Sequence, residues 1–222
     1  MIEFANVTVQ YSRSRIYRRL HIEPDTPVFD YAEGAFPGLV KAMEEHLHME
    51  NCYSILPRSV CIGVEDVDNA QRQVVCLSSC SGEIMNVIAD MLDRGDYLEG
   101  YILNDLSNEV LFNASNQMNR EIAAKLAREG CRLSRRYSPG EGGVELHCQL
   151  PLLEAFRGEP RLSHVRLTES FMLEPEKSML YVFGADPSYP ERSVEHDCSQ
   201  CSNTTCFFRQ VKTQASAAGM SC

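Results

Sequence analysis

The chain has 222 residues, of which 21 are basic, 31 are acidic and 10 are cysteines, and its formal net charge is -10. This length suits one large domain or two small ones, and 44% hydrophobic residues are enough for a core, which excludes a wholly disordered chain. The acidic balance argues against a nucleic-acid partner, because phosphate contacts need a concentrated basic surface.

The sequence also bears on location. No apolar run approaches the ~20 residues that cross a bilayer, and the first residues lack the basic and apolar regions of a secretory signal. We therefore expect a cytoplasmic protein without a membrane partner. In that reducing compartment the cysteines are expected to be thiols, metal ligands or redox centres rather than structural disulfides.

In the first 70 residues the pattern predicts one strand and one helix. Residues 2–11 alternate apolar and polar side chains as a strand does, and prolines and glycines then interrupt residues 24–38. Residues 39–49 have apolar side chains at helical spacing. We interpret residues 1–70 as an N-terminal α/β segment.

The middle of the chain predicts a strand followed by two helices. Residues 73–77 form a short β-rich run, and residues 83–94 and 98–128 have the apolar spacing of helices. Asparagines recur along the second helix, and either a solvated face or a polar binding face explains them, with the solvated face preferred. They are Asn104, Asn108, Asn113, Asn116 and Asn119.

Strands return after the helices. A short helix is predicted over residues 150–156, and two apolar-rich strands over residues 165–172 and 178–183. Helices in the middle with strands at both ends predict an α+β fold rather than alternating βαβ units.

Arg135 and Arg136 lead into a glycine-rich turn, residues 137–143. Such a turn can bring backbone N–H groups close to an anionic or polar ligand, while the arginines supply fixed charge. The glycine spacing matches neither the GxGxxG nor the GxxxxGK nucleotide fingerprint. On the residues alone, a ligand-binding loop and a surface turn with solvated arginines both remain open.

The C-terminal tail, residues 193–222, is rich in cysteine. Three of them have the spacing C-x2-C-x4-C, and thiolates so close together can converge on one soft metal ion or an iron-sulfur cluster. His196, Cys222 or an external ligand would complete the coordination. Zinc would make the tail a structural element and a cluster would make it an electron relay, with reduced free thiols as the alternative. The three cysteines are Cys198, Cys201 and Cys206.

Several segments match one family in order. LTESFMLEPEKS, residues 167–178, looks like the LTES-F-x-x-x-P-x-x-S segment of the activation (reactivation) domain of cobalamin-dependent methionine synthase. GADPSY, residues 184–189, resembles the family's downstream segment, and RYSPG, residues 136–140, matches its R-x-x-P-G element. Over residues 70–210 the chain therefore resembles the short stand-alone form of this domain, whose core would span residues 71–192.

This resemblance implies an activation-domain-like α+β fold with central helices and a mostly antiparallel sheet, and it implies an activity. In the family, a corrinoid that has slipped to inactive cob(II)alamin accepts one electron and a methyl group from S-adenosylmethionine, which regenerates methylcobalamin. The chain would bind S-adenosylmethionine and assist this reductive methylation, as an accessory to or part of a methyltransferase. A flavodoxin or ferredoxin would donate the electron.

The resemblance also implies a binding site. Its residues would be Arg136, Ser138, Pro139, Gly140, Glu141, Tyr189 and Glu121. Arg136 and the glycine turn suit the carboxylate and amino-acid edge of S-adenosylmethionine, and Tyr189 supplies an aromatic wall or a hydroxyl. The family's element continues with tyrosine where this sequence has Glu141, so a carboxylate would face the sulfonium or amino group.

The cobalamin itself is expected on a partner. The sequence contains no D-x-H-x-x-G corrinoid-ligand motif, so the corrinoid would arrive on a corrinoid-binding protein or a truncated methionine synthase. The alternative function is a metal or iron-sulfur protein, redox or structural, that uses the cysteines of the tail without S-adenosylmethionine chemistry.

Overall fold

The computed structural model describes residues 1–195, and the predicted metal ligands Cys198, Cys201 and Cys206 lie outside them. The described chain combines helices with an antiparallel sheet, which confirms the predicted α+β class. No helix among the described residues is both long enough and apolar enough to cross a membrane.

Six α-helices occur within residues 1–195. They are α1 (Arg13–Arg19), α2 (Pro27–His46), α3 (Glu65–Asp68), α4 (Glu83–Arg94), α5 (Tyr97–Arg128) and α6 (Gln149–Leu153). Three short 3-10 turns lie between α5 and the last strand, at Leu146–Cys148, Glu154–Phe156 and Pro160–Leu162.

The strands form one sheet and one small hairpin. They are β1 (Ile2–Phe4), β2 (Met49–Pro57), β3 (Arg72–Cys80), β4 (Arg132–Leu133), β5 (Arg166–Leu167), β6 (Leu173–Glu174) and β7 (Ser178–Asp186). The sheet has the order β1-β2-β3-β7-β4, and every neighbouring pair is antiparallel. β5 and β6 pair with each other as the hairpin.

Helix α5 lies between the sheet and the other helices. On one side Met118 and Ile122 pack against Tyr181 of β7. On the other side Ile102 and Leu106 pack with the apolar residues of α1, α2 and α4. The helix is buried on two sides, and its apolar residues therefore spread around the axis instead of forming one stripe.

A second layer covers the opposite face of the sheet. Because strand side chains alternate, Leu180 and Val182 point away from α5. They pack against Leu152 and Phe156, which belong to the short helical segments after the glycine turn. The sheet is thus enclosed by α5 on one face and by these short segments on the other.

Asn104, Asn108 and Asn119 of α5 bind other parts of the protein, so the preferred interpretation of a solvated face is wrong for these three. Lys177, just before β7, donates from Nζ to the side-chain oxygens of Asn104 and Asn108, each at 2.8 Å. Further along the helix, the Tyr181 hydroxyl donates to Asn119 Oδ1 at 2.9 Å. These bonds fix α5 against β7 at two levels.

Helix α2 begins twelve residues before the predicted start at residue 39 and includes most of the stretch read as irregular, residues 24–38. Thr26 caps it by accepting a hydrogen bond from the Phe29 N–H at 3.2 Å, and Pro27 occupies the first turn, where a helix tolerates proline. Pro37 removes one helical hydrogen bond. Burial of an apolar side against α1, α4 and α5 offsets that loss.

The strands differ from the prediction at three places. β2 was not predicted, because polar residues such as Glu50 and Asn51 interrupt its apolar pattern. The predicted strand over residues 2–11 is regular only at β1, and the strand over residues 165–172 is reduced to β5. β2 joins the first 70 residues to the sheet of β3 and β7, and the proposed domain boundaries remain a prediction.

Candidate functional site

The candidate site begins at the edge of the sheet, where the chain leaves β4. Leu133 pairs with Ala185, and Tyr137 pairs with Val182. Between these pairs the chain has one residue more than β7, which makes a β-bulge. The two neighbouring arginines point to opposite faces of the sheet, as consecutive residues of a strand do, and the extra residue sets which face each of them takes relative to Leu133.

Arg136 lies on the face that carries α5. Its guanidinium carbon is 4.6 Å from the centre of the Tyr181 ring. Its Nε and Nη1 atoms are buried and have no hydrogen-bond partner within residues 1–195. A buried donor without an acceptor costs about 1–3 kcal/mol, and more when it is charged. A carboxylate that reached either nitrogen would form a charge-assisted hydrogen bond, which is stronger than a bond between neutral groups.

A hydrogen-bonded series supports the ring beneath Arg136. The Tyr181 hydroxyl donates to Asn119, and Asn119 Nδ2 donates in turn to the Val194 carbonyl at 3.2 Å. Burial raises the pKa of Tyr181 well above its ordinary value, so the hydroxyl remains a donor. The ring is therefore held from α5 on one side and from the end of the described chain on the other.

Arg135 lies on the opposite face of the sheet. Its guanidinium carbon is 4.7 Å from the centre of the Tyr137 ring. The Tyr137 hydroxyl donates to Asp66 Oδ2 at 2.8 Å, and the Tyr189 hydroxyl donates to the Asp66 carbonyl at 2.6 Å. Both tyrosines thus fasten α3 to the sheet.

The Asp66 carbonyl lies directly over β7. A Cβ atom on Gly184 would come within 1.9 Å of that oxygen, so only glycine allows α3 to approach so closely. Because Phe183 and Ala185 face α5, Gly184 faces the other way. Tyr189 is therefore occupied in a contact on the face opposite to Arg136, and the structure does not bring these two predicted site residues together.

The glycine turn is closed by its own backbone hydrogen bonds. Gly140 N–H donates to the Val144 carbonyl at 2.8 Å, and Glu141 N–H donates to the Ser138 carbonyl at 3.1 Å. Pro139 has no N–H to offer. The predicted use of this backbone as a set of ligand donors is therefore restricted, while the side chain of Glu141 is exposed.

The glycine turn and the LTES segment, which both resemble the family, are connected through Leu146 and His147. A Cβ atom on Gly140 would lie 3.3 Å from the Leu146 side chain. The His147 ring then contacts the Phe171 ring, with 6.5 Å between centres, and Gln149 Nε2 donates to the Phe171 carbonyl at 2.9 Å. The glycine turn and the LTES segment consequently form one continuous surface.

Glu121 lies on another side of α5. It is exposed, and one turn further along the helix Lys125 pairs with Glu3 of β1 at 2.5 Å. Its charge contributes to raising the pKa of Tyr53 on β2, after burial and the Glu3 carboxylate. Glu121 therefore faces the β1 and β2 side, whereas Arg136 lies over β7.

Sequence analysis found Arg136 but missed Tyr181, on which it stacks, and Asn119, which binds the Tyr181 hydroxyl. Tyr181 and Asn119 are 45 and 17 positions away in the sequence, and only the pairing of β7 with the bulge brings them together. The asparagine series on α5 was the one signal that pointed to polar contacts there. Among residues 1–195 there is no group of three or more side chains suited to holding a metal ion.

Comparison with known proteins identifies a fold. No family model matches the chain, and no curated protein matches it either. The chain is similar to a solved structure described as the crystal structure of the MetH reactivation domain bound to AdoHcy, with a TM-score of 0.59 over 87% of this chain and 81% of that one. The sequence identity is 12%, so the similarity establishes a shared fold.

Proposed function

We propose that this chain is an activation-domain-like protein that binds S-adenosylmethionine at Arg136 and assists the reductive methylation of a corrinoid carried by a partner methyltransferase. The shared fold with a domain that binds AdoHcy supports this proposal. AdoHcy is S-adenosylmethionine without its transferable methyl group, so a site for one has most of the contacts needed for the other.

The observation that carries the proposal is the pair of buried Arg136 nitrogens without acceptors. S-adenosylmethionine ends in an α-amino acid, and its carboxylate would accept a charge-assisted hydrogen bond from one of these nitrogens. The guanidinium is already stacked on Tyr181. Little side-chain entropy would be lost on binding, because this stacking fixes the arginine in advance.

Glu141 is the second contributor. Its exposed carboxylate stands five residues after Arg136, at the point where the family's element has tyrosine. S-adenosylmethionine has a positively charged amino group and a sulfonium, and a carboxylate attracts both. Ser138, Pro139 and Gly140 place Glu141 through the closed turn. Tyr189 and Glu121 lie away from Arg136 and stay outside this proposed site.

The corrinoid would come to this surface from outside. When bound on its partner it supplies the cobalt that receives the methyl group, after one electron from a donor such as flavodoxin or ferredoxin. The chain's own part is to hold S-adenosylmethionine by its charged end and to offer a docking surface. The adjoining turn and LTES segment, with Phe171 exposed at the tip, lie beside the proposed ligand site.

Isothermal titration with S-adenosylmethionine tests the binding step. We expect saturable binding to the intact chain and a loss of affinity of about tenfold or more in Arg136→Ala, because a charge-assisted pair is lost. Arg135→Ala is the matched control, since that arginine is adjacent in sequence but lies on the other face. Equal affinity in Arg136→Ala and wild type, or an equal loss in both variants, would contradict the assignment.

A second candidate function rests on the spacing of Cys198, Cys201 and Cys206 in the tail. In this alternative the chain is a metal or iron-sulfur protein, and the cysteines hold zinc or a cluster. Anaerobic purification tests it: absorbance at about 400 nm with stoichiometric iron and sulfide indicates a cluster, and colourless protein with zinc indicates a structural site. Replacing the three cysteines by serine should abolish the metal, whereas Cys61→Ser, at an exposed cysteine elsewhere, should not.

A further inference from the structure

The basic stretch at residues 13–19 forms a second feature, separate from the Arg136 site. Two of its arginines are used inside the protein. Arg15 pairs with Glu109 of α5 at 2.5 Å, and Arg19 pairs with Asp105 at 2.8 Å. These pairs, in which both carboxylates are buried, anchor α1 to α5. The other two arginines of the stretch, Arg13 and Arg18, take no part in these pairs.

The remaining basic groups face a cavity of about 460 Å³ between α1 and the start of α2. Arg13 pairs with Glu33 across it at 3.0 Å. Arg18 and His21 also line the cavity, and within the described part of the chain neither has an ion pair or a side-chain hydrogen bond. Glu23 and Glu33 line the same cavity, and Arg18 and His21 are the basic side chains there that have no carboxylate partner among residues 1–195.

Aromatic rings form the apolar part of the same cavity. Tyr17 and Phe29 both line it, and their rings meet edge to face, with 5.7 Å between centres and 79° between planes. Aromatic rings favour edge and offset contacts with a further ring. The cavity therefore combines a surface for a planar ring with basic side chains at its opening.

The Tyr17 hydroxyl adds a polar group to this surface. It is buried and has no hydrogen-bond partner of normal geometry, although the Glu33 carboxylate is close. Burial, and then the Glu33 carboxylate, raise the pKa of Tyr17 to about 12, so the group remains a donor. The hydroxyl can therefore donate to the Glu33 carboxylate or to an acceptor on a bound molecule.

We propose that this cavity binds a small molecule in which a planar ring is joined to a phosphate or carboxylate group, such as a nucleoside monophosphate. Its volume falls within the range of about 300–1,000 Å³ that holds small ligands. The ring lies against Tyr17 and Phe29, and the anionic group pairs with Arg18 and His21. The site is independent of the one at Arg136, because its residues come only from α1, α2 and their connection.

Isothermal titration of the intact chain with AMP tests this site. We expect one AMP per chain, and an affinity at least about tenfold lower in Arg18→Ala, because an unpaired guanidinium is removed from the anionic group. Tyr17→Phe removes only the hydroxyl and should weaken binding less. Arg128→Ala is the control, since that arginine is exposed on α5 and belongs to neither site.

Three further probes identify the ligand chemistry. Adenosine lacks the anion and inorganic phosphate lacks the ring, and each should bind at least about tenfold more weakly than AMP. Benzoate joins a ring to a carboxylate, and binding as tight as that of AMP would identify a carboxylate as the natural anionic group. Absence of binding by both AMP and benzoate, an unchanged affinity in Arg18→Ala, or a loss caused by Arg136→Ala instead would overturn the proposal.

Discussion

Arg136 keeps two buried N–H groups without acceptors at the edge of the sheet. Such groups destabilise a fold, and proteins retain them mainly where a ligand or a reaction uses them. Arg135, one residue earlier, is exposed and stacks on a ring of the opposite face. Because the two arginines are adjacent in sequence but differ in environment, comparing their variants distinguishes a binding role of Arg136 from a general effect of basic charge.

The first prediction concerns the stability of the ligand-free protein. Arg136→Met keeps an unbranched side chain that reaches to the position of Nε and removes the unpaired donors, so we expect the free energy of unfolding to rise by about 1 kcal/mol. Urea denaturation measures it. Arg135→Met should change it by less than about 0.5 kcal/mol, as an exposed substitution does. A loss of more than 1 kcal/mol in Arg136→Met would indicate instead that the arginine is structural.

The second prediction concerns pH and Lys177. Burial lowers the pKa of Lys177 from 10.5 to about 8, while its ammonium group is bound by Asn104 and Asn108. Between these two values the unfolded chain binds more protons than the folded one, so stability should rise as the pH increases from 8 to 10.5. The full rise would be at most a few kcal/mol.

Lys177→Met is the comparison for this effect, because methionine does not titrate. The unfolding free energy of the variant should rise less steeply over the same pH interval than that of wild type. Urea unfolding at several pH values measures both slopes. Parallel slopes in the two proteins would show that Lys177 has an ordinary pKa.

At the scale of elements, β7 organises both faces of the sheet. Tyr181 and Phe183 face α5, and Gly184 receives α3 on the other side. The contact with α3 is close because the Asp66 carbonyl oxygen occupies the space that a side chain at position 184 would fill. Tyr137 and Tyr189 then bind the same residue of α3. Gly184 therefore permits the close contact between α3, in the N-terminal part of the chain, and β7.

The third prediction tests this contact. Gly184→Ala would place a methyl group 1.9 Å from a backbone oxygen, so we expect a loss of about 3 kcal/mol or more in unfolding free energy. Gly38→Ala is the control, since that glycine lies in α2 with open space around it. There alanine should stabilise by about 0.5–1 kcal/mol. Equal effects of the two substitutions in urea denaturation would refute the close contact.

Sequence predicted the elements whose pattern is local. Helices α4 and α5 have regular apolar spacing, and their bounds agree with the prediction to within one residue. The first part of α2 was missed. Its prolines and glycines suggest a break, and the burial that stabilises the helix comes from distant helices. β2 was missed because polar residues such as Glu50 and Asn51 interrupt its apolar pattern, and its burial depends on the neighbouring strands β1 and β3.

The candidate site was predictable only in part, for the same reason. Arg136 stands in a recognisable local motif, and nothing in that motif indicates the ring or the amide that hold it. Tyr189 also stands in a recognisable segment, but its partner Asp66 belongs to the first 70 residues. Contacts that join distant segments depend on strand pairing and register, and one extra residue in a bulge changes the face to which a side chain points.

For the whole molecule, the sheet joins two segments that sequence analysis treated separately, residues 1–70 and residues 71–192. β2 lies between β1 and β3, and β3 lies between β2 and β7. The fourth prediction is that urea unfolds the protein in a single transition, with the same midpoint by tyrosine fluorescence and by circular dichroism, because neither part can open without exposing the shared sheet. Two separated midpoints would indicate that residues 1–70 unfold on their own.

The shared fold and the unpaired arginine lead to one structural expectation for the ligand-bound chain. The most direct measurement is a crystal structure of the chain grown with AdoHcy. We predict that the ligand's carboxylate lies within hydrogen-bond distance of Arg136 Nε or Nη1, with the guanidinium still stacked on Tyr181. Ligand bound elsewhere, or crystals without ligand at saturating concentration, would contradict the proposed site.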